Sequence, residues 1–420
     1  MRRQEEGSRA VAEAVALCRP EVISAYPISP QTHIVEHLSD LVRTGELDPC
    51  EYLMVESEFS ALSACIGASA TGARTYTATA SQGLLYMAEA LYNASGLFLP
   101  IVMTIANRAI GAPINIWNDH SDSISQRDSG WIQLYAESNQ EALDMHIQAF
   151  RLAEAVSLPV MVCMDGFILT HAYDEVEIPD QAAVDHFLPV FEPRQLLDPD
   201  DPVTMGAMVG PDAFFEVRYL AHAKQIEALD LIEGIAQRFA LDFGRHSGGL
   251  MRKYRTDDAD TVVVAMGSVM GTIEEVVDDL REDGARIGAI ALKSFRPFPL
   301  EELRDAIAGA KRVVVIDKAL SVGIGGPLFS SVRTALSPRL DVHGHSVIAG
   351  LGGRPITRDS LRELLGRAGR DELADLTFLD LNRELVEHEL ARSGNGHRPG
   401  PHAEAMIREL GAAAITGTTS

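Results

Sequence analysis

The first 170 residues alternate short runs of β-forming residues with stretches of helical periodicity, and this alternation limits the fold more than any other feature. Residues 22–26 read as a strand, Pro27-Ile28-Ser29-Pro30 as a turn, and a helical pattern follows through Ile34, Leu38 and Leu41. A strand at 53–55 leads into a helix of small residues over 57–71. Then come strand 75–79, helix 82–94, strand 101–105, helix 140–156 and strand 160–164. Repeated strand–helix units predict an α/β fold with a mainly parallel sheet and helices on both faces. Ligands of such sheets bind beyond the carboxyl ends of the strands. The turns after Tyr26, Val55 and Ile105 are therefore where chemistry is expected.

The pattern changes near His171. Residues 172–205 are rich in Asp and Pro, and 214–243 reads as one long helix whose apolar positions, from Val217 to Phe239, follow a 3.6-residue repeat. A second α/β unit is predicted from strands at 261–265, 287–292 and 312–316, separated by helices near 271–282, 299–308 and 327–336. The run SGNGHRPGPH (393–402) is loop-like. The last thirty residues are expected to form a loose tail or docking arm. The expected organisation is an α/β domain over 1–170, a connecting arm with a long helix over 171–257, able to wrap a neighbouring subunit, a smaller α/β domain over 258–370, and a C-terminal helix and loose tail over 371–420.

Composition narrows the function classes. The 420 residues carry 36 Lys+Arg against 60 Asp+Glu, a formal charge of −24, with no basic cluster of the kind that nucleic acid rewards. A hydrophobic content of 46% is that of a folded protein. Met1-Arg2-Arg3 runs into Gln4-Glu5-Glu6 rather than an apolar stretch, and the apolar segment 97–106 is interrupted by Pro100, so neither a signal peptide nor a membrane span is expected and the location is read as cytoplasmic. Cys18, Cys50, Cys65 and Cys163 lie far apart with no CxxC pair. That excludes a disulfide scaffold and a cysteine-held zinc or iron–sulfur motif, so any electron-carrying cluster must sit on another polypeptide. No GxxxxGK[ST] is present, which argues against a P-loop ATPase.

Three positions at the predicted carboxyl edge carry candidate chemistry, each with a plainer alternative. Ser29-Pro30 reads as a helix N-cap followed by proline at the first helical position, either a simple cap or an anion site built on free N–H groups. Glu56 and Glu58 open a helix containing Ala61, Ala64, Gly67, Ala68, Ala70 and Gly72. They are either dipole partners or carboxyls whose proton affinity is raised against a close-packed surface, as acid–base work requires. Arg108, followed by Ala109, Gly111, Ala112 and Pro113, is either a carboxylate-binding fork or a structural salt bridge. Asp119-His120-Ser121-Asp122 lacks metal-ligand spacing and reads as a polar loop, so no metal ligand is assigned. Ser321-Val322-Gly323-Ile324-Gly325-Gly326 lacks GxGxxG spacing and reads as a tight turn.

Taken together, YPISPQT (26–32), VESEFSA (55–61), TATASQGLL (77–85), ANRAIGAP (106–113), NDHSDSISQRDSGW (118–131) and MDGF (164–167) resemble the alpha subunit of the pyruvate:ferredoxin oxidoreductase (pyruvate synthase) family, within the 2-oxoacid:ferredoxin oxidoreductases. MGSVMGT (266–272) and GIGGPL (323–328) extend the resemblance, which covers residues 10–390.

The resemblance implies a pyrimidine-binding domain of thiamine-diphosphate enzymes followed by a domain like the transketolase C-terminal one. It implies oxidative decarboxylation of pyruvate to acetyl-CoA and CO2 with reduction of ferredoxin, reversibly, in a cytoplasmic hetero-oligomer. By resemblance, Glu58 is the catalytic and cofactor-binding glutamate that hydrogen-bonds the aminopyrimidine ring. Ser29, at a position often threonine in the family, would grip the substrate carboxylate together with Arg108. Asp165-Gly166 lacks both the preceding Gly of the GDG motif and its matching Asn. The chain is therefore expected to hold half a site. Partner subunits would supply the diphosphate and Mg2+ contacts and the [4Fe-4S] clusters: a diphosphate-binding subunit, a ferredoxin-like subunit and a gamma-type subunit, with ferredoxin as electron partner and coenzyme A as co-substrate. The rival readings are a lipoamide-linked 2-oxoacid dehydrogenase or transketolase-like subunit, an oxidoreductase for another 2-oxoacid, and a non-catalytic scaffold subunit.

Overall fold

Six strands of the first unit run parallel because helices carry the chain back across the sheet between them. The computed structural model describes residues 2–336, 341–394 and 401–416. The first sheet is ordered Ser294–Arg296, Ile132–Tyr135, Val160–Asp165, Ile101–Asn107, Thr75–Thr79, Val22–Ala25, Glu51–Met54. Its central strands Thr75–Thr79, Ile101–Asn107 and Val160–Asp165 are buried throughout, as helices on both faces require. The chain runs from Val22–Ala25 outward to Glu51–Met54 and then returns to place Thr75–Thr79 on the other side. This reversal opens a crevice at the carboxyl ends of Val22–Ala25 and Thr75–Thr79.

The second sheet is ordered Leu376–Phe378, His343–Ile348, Arg312–Asp317, Thr261–Ala265, Ile287–Leu292, Met251–Tyr254, parallel except for Met251–Tyr254. The two units share structure rather than merely touching. Ser294–Arg296, downstream of Ile287–Leu292, crosses over to pair antiparallel with Ile132–Tyr135 at the edge of the first sheet. One apolar core runs through both units, uniting Leu62, Met87 and Met103 with Val262, Ile290 and Phe295. At the seam the Lys293 ammonium, almost wholly buried, lies 2.6 Å from Glu137 and 2.5 Å from Glu141.

Several elements differ from the sequence expectation. The helix expected to open at Pro30 begins two residues later, as Thr32–Thr44 with Gln31 at its cap position. The Ser29-Pro30 peptide is cis and belongs to the preceding turn, so Ser29 is not an N-cap and the anion site inferred from capping does not form. The stretch 171–257 contains strand Tyr173–Glu177, paired antiparallel with Arg2–Glu6, as well as helix Gln181–Phe187 and strand Met251–Tyr254. The long helix spans Pro211–Phe243. Of the expected tail, residues 395–400 and 417–420 lie outside the described residues, and His402–Thr416 is a helix joined to the preceding one by His388–Glu409 at 2.8 Å and His402–Glu389 at 3.0 Å. Ser321 and Gly325 pair across a tight turn, as their spacing suggests.

Candidate active site

Each expected site residue falls at the carboxyl edge of the first sheet. Glu58 is the first residue of helix Glu58–Ala70, whose N-cap is Ser57: the Ser57 hydroxyl accepts from the Ser60 N–H at 3.2 Å. Cap and register together aim Glu58 inward while Glu56 and Phe59 on either side stay exposed. Glu56 accepts from the Ser60 hydroxyl, so the two glutamates have separate environments. Glu58 is 7% exposed, and its carboxylate has no hydrogen-bond or ion-pair partner among the described residues. A buried carboxylate left in this state is costly unless a donor is brought to it.

The Glu58 side chain can pack directly against residue 83 because that residue is glycine. A Cβ on Gly83 would stand 2.7 Å from Glu58 Oε1 and 2.5 Å from Thr79 Oγ1, both well inside contact distance. Thr79 Oγ1 is itself buried without a hydrogen-bond partner. The carboxylate and this hydroxyl form a polar recess at the topological reversal. The buried Gln31 amide nitrogen donates to the Tyr26 and Ala78 carbonyls at 3.0 Å each, tying the turn after Val22–Ala25 to strand Thr75–Thr79.

Arg108 lies one residue past strand Ile101–Asn107. Its guanidinium makes no ion pair among the described residues, which sets the salt-bridge alternative aside. Nη1 donates to the Ser29 carbonyl at 2.9 Å and Nε to the Asn115 carbonyl at 3.1 Å. Of the about five guanidinium N–H donors, these bonds use two and leave the others, the Nη2 pair among them, without a partner among the described residues. Partial burial pulls the Arg108 pKa below its usual value, while the nearby Asp122 charge opposes that shift. A poorly solvated guanidinium with no carboxylate in direct contact is a receptor for an anion. Ser29 is exposed and coupled to Arg108 through its carbonyl, so the structure brings Ser29 and Arg108 together.

Asp119-His120-Ser121-Asp122 is no exposed polar loop. Asp119, His120 and Asp122 are buried. His120 Nε2 lies 2.7 Å from Asp165, which also accepts from Lys318 at 2.8 Å and from the Ser268 N–H at 3.0 Å. Asp165 thus ends strand Val160–Asp165 inside a cluster from both units, and the Lys318 and His120 charges hold its carboxyl well below the usual range despite burial. Asp122 is fully buried, and burial pushes its pKa up to about 7. The alternation of charged and small residues in DHSD gave no sign of this burial. Gly83 and Gln31 did stand within the motifs SQGLL and SPQT.

Large apolar side chains are exposed around the crevice: Tyr26, Met54, Phe59, Tyr86, Ile114 and Trp117. Met54 ends strand Glu51–Met54, and the others sit on the turns and helices that follow four of the parallel strands. Such a rim around a polar recess is the signature of a surface that a partner covers. No helix among the described residues is long and apolar enough to cross a membrane.

Residues 13–236 match the family described as pyruvate flavodoxin/ferredoxin oxidoreductase, thiamine diP-bdg, and residues 259–361 match pyruvate:ferredoxin oxidoreductase core domain II. The pyruvate synthase subunit PorA of Methanosarcina barkeri is 51% identical over 91% of this chain and 97% of its own. That of Methanocaldococcus jannaschii is 49% identical over 87% of this chain and 94% of its own. The ketoisovalerate oxidoreductase subunit VorA of Pyrococcus abyssi is 43% identical over 85% of this chain and 91% of its own. The fold also matches a solved 2-oxoglutarate:ferredoxin oxidoreductase from Magnetococcus marinus, with 2-oxoglutarate, coenzyme A and succinyl-CoA bound. That match has a TM-score of 0.68 at 20% identity and covers 88% of this chain and 65% of that one.

Proposed function

This chain belongs to the pyruvate flavodoxin/ferredoxin oxidoreductase family, and from that premise we propose that it is the pyrimidine-binding subunit of an enzyme converting pyruvate, coenzyme A and oxidised ferredoxin to acetyl-CoA, CO2 and reduced ferredoxin. The observation that carries the reading is the 7% exposed Glu58 carboxylate, without a partner among the described residues and packed against Gly83.

These residues fit the pyrimidine end of thiamine diphosphate: Glu58 is a buried acceptor without a donor among the described residues, and the missing Cβ at Gly83 lets its carboxylate keep its position. When bound, the cofactor supplies the nucleophilic carbon and the electron-accepting ring that decarboxylation needs. Glu58 would hydrogen-bond the aminopyrimidine and stabilise one of its proton-transfer forms through the carboxylate oxygens. Arg108 would bind the 2-oxoacid carboxylate through its free Nη2 donors, held in place by its bonds to the Ser29 and Asn115 carbonyls. The Ser29 hydroxyl would add a further donor to the same carboxylate.

The sequence lacks the paired motif for a magnesium diphosphate. Mg2+ and diphosphate contacts are therefore assigned to a diphosphate-binding partner that covers the apolar rim, and the [4Fe-4S] clusters to a ferredoxin-like partner, with a gamma-type subunit completing the complex. A cytoplasmic location belongs to the same reading, supported by four unpaired cysteines, three of them buried. Similarity to a ketoisovalerate oxidoreductase subunit at 43% identity favours one second reading, a branched-chain 2-oxoacid as substrate. Co-expression with the partner subunits and dye-reduction assays on pyruvate, 2-oxoglutarate and 2-oxoisovalerate test both. Highest kcat/KM on pyruvate supports the first reading. Highest kcat/KM on 2-oxoisovalerate supports the second, and no turnover of any 2-oxoacid by the assembled complex contradicts both.

A further inference from the structure

The Asp122 carboxylate stands where two strand-end turns meet, and its four hydrogen bonds all come from N–H donors. Oδ2 accepts from the backbone N–H of Ser81 at 2.9 Å and of Arg108 at 3.0 Å. Oδ1 accepts from the Asn107 side-chain amide at 2.8 Å and from the backbone N–H of Ser123 at 2.7 Å. One oxygen therefore ties together the turn after Thr75–Thr79 and the turn after Ile101–Asn107. Ser81 opens the short helix Ser81–Tyr86, which carries Gly83 against Glu58. Arg108 carries the guanidinium bonded to the Ser29 and Asn115 carbonyls.

We infer that Asp122 is a positioning residue for the reaction, fixing the separation between the Gly83–Glu58 recess and the Arg108 guanidinium; the inference rests on reading Arg108 as the carboxylate-binding group. Only an acceptor-only side chain serves four converging donors, because a carboxylate offers about four lone-pair sites and an amide turns an NH2 toward two of them. Asp122 forms no ion pair among the described residues; four N–H donors and the nearby Arg108 charge oppose the cost of burying it, and burial still pushes its pKa up to about 7. A carboxylate kept at that cost, bonded to the backbone of Arg108 itself, is better explained by setting a geometry than by adding stability.

The test is made on the assembled complex. Asp122→Asn is expected to raise KM for pyruvate at least about tenfold while kcat stays within about threefold, because misplacing Arg108 weakens uniform binding of the carboxylate. The dissociation constant for oxamate, an unreactive pyruvate isostere measured by calorimetry, is expected to rise by a similar factor. A purely structural role would instead lower kcat with the fraction of active complex and leave KM and oxamate affinity unchanged, and that result overturns the inference. If the Asp122→Asn complex fails to assemble, Asn107→Ala, which removes one donor from Oδ1, decides. A raised KM supports the inference and an unchanged KM contradicts it. Arg108→Ala separates the two layers. If it raises KM while both other variants leave KM alone, the positioning role fails and the reading of Arg108 stands. If Arg108→Ala leaves KM unchanged, the reading of Arg108 itself fails, and this inference with it.

Discussion

A Cβ added to Gly83 would lie 2.7 Å from Glu58 Oε1, so the identity of residue 83 decides whether the Glu58 carboxylate can keep its position. Gly83→Ala adds one methyl at a helical position with ordinary backbone angles, where alanine is otherwise the better helix former. The chain should fold and assemble, but activity should fall by at least about tenfold, with weaker thiamine diphosphate affinity, since a displacement of about 1 Å at a reacting site costs up to about a hundredfold. Steady-state rates and cofactor titration of the purified complex check this.

Arg108→Lys keeps the charge and loses the planar fork. An ammonium cannot reproduce the paired bonds to Ser29 and Asn115 carbonyls and still present two donors outward. KM for pyruvate should rise by about tenfold or more with a smaller change in kcat, read from the ratio of the two constants in one assay.

The pH dependence of stability should carry a His146 component. This histidine is fully buried, with Nδ1 donating to the Ala142 carbonyl at 2.6 Å and Nε2 accepting from Thr104, whose hydroxyl lies 2.6 Å from Tyr76. Burial pulls its pKa down to about 4 from an ordinary 6.5, so between those values the unfolded chain binds the extra proton. Stability is complete above pH 6.5 and declines as pH falls toward 4, by on the order of 3 kcal/mol. Asp122 and Asp317, both pushed up to about 7 by burial, act with the opposite sign, favouring the folded chain as pH falls from 7 toward 4. The His146 part is therefore isolated by difference: denaturant midpoints of wild type and His146→Gln should diverge least near pH 5 and most near pH 7 if the imidazole is buried neutral.

The seam between the units depends on an ion pair. Lys318→Met leaves Asp165 with His120, Asn118 and Ser268 but without its 2.8 Å cation. Removing one partner of a buried pair costs about 3–5 kcal/mol. The expected result is a large drop in the denaturation midpoint, partly restored by adding Asp165→Asn; equal midpoints for wild type and Lys318→Met would contradict it.

The sequence carried the architecture and the site unequally. The parallel sheet was legible because Thr75–Thr79, Ile101–Asn107 and Val160–Asp165 are short apolar or β-branched runs bounded by helical periodicity. The pairing of Arg2–Glu6 with Tyr173–Glu177 was not: RRQEE and YDEVE carry no apolar alternation, and residues 7–172 of the chain lie between the two strands. Ser294–Arg296 is three residues long, and only the completed first sheet gives it a partner. At the site, Glu58 and Arg108 stood out by residue type at strand ends. Ser29-Pro30 looked like a helix cap because serine before proline has that meaning in isolation, whereas here the turn runs on to Gln31. Asp122 was hidden by its polar neighbours, since burial of a carboxylate depends on what folds over it.

The most direct measurement of the central claim is pyruvate-dependent electron transfer by a complex carrying Glu58→Gln, assayed beside the wild type at saturating thiamine diphosphate. Glutamine fills the same space with about the same volume but cannot act as a carboxylate. A fall in kcat of at least about a hundredfold, with the complex intact, is the predicted result. Wild-type turnover from the Glu58→Gln complex would contradict the account.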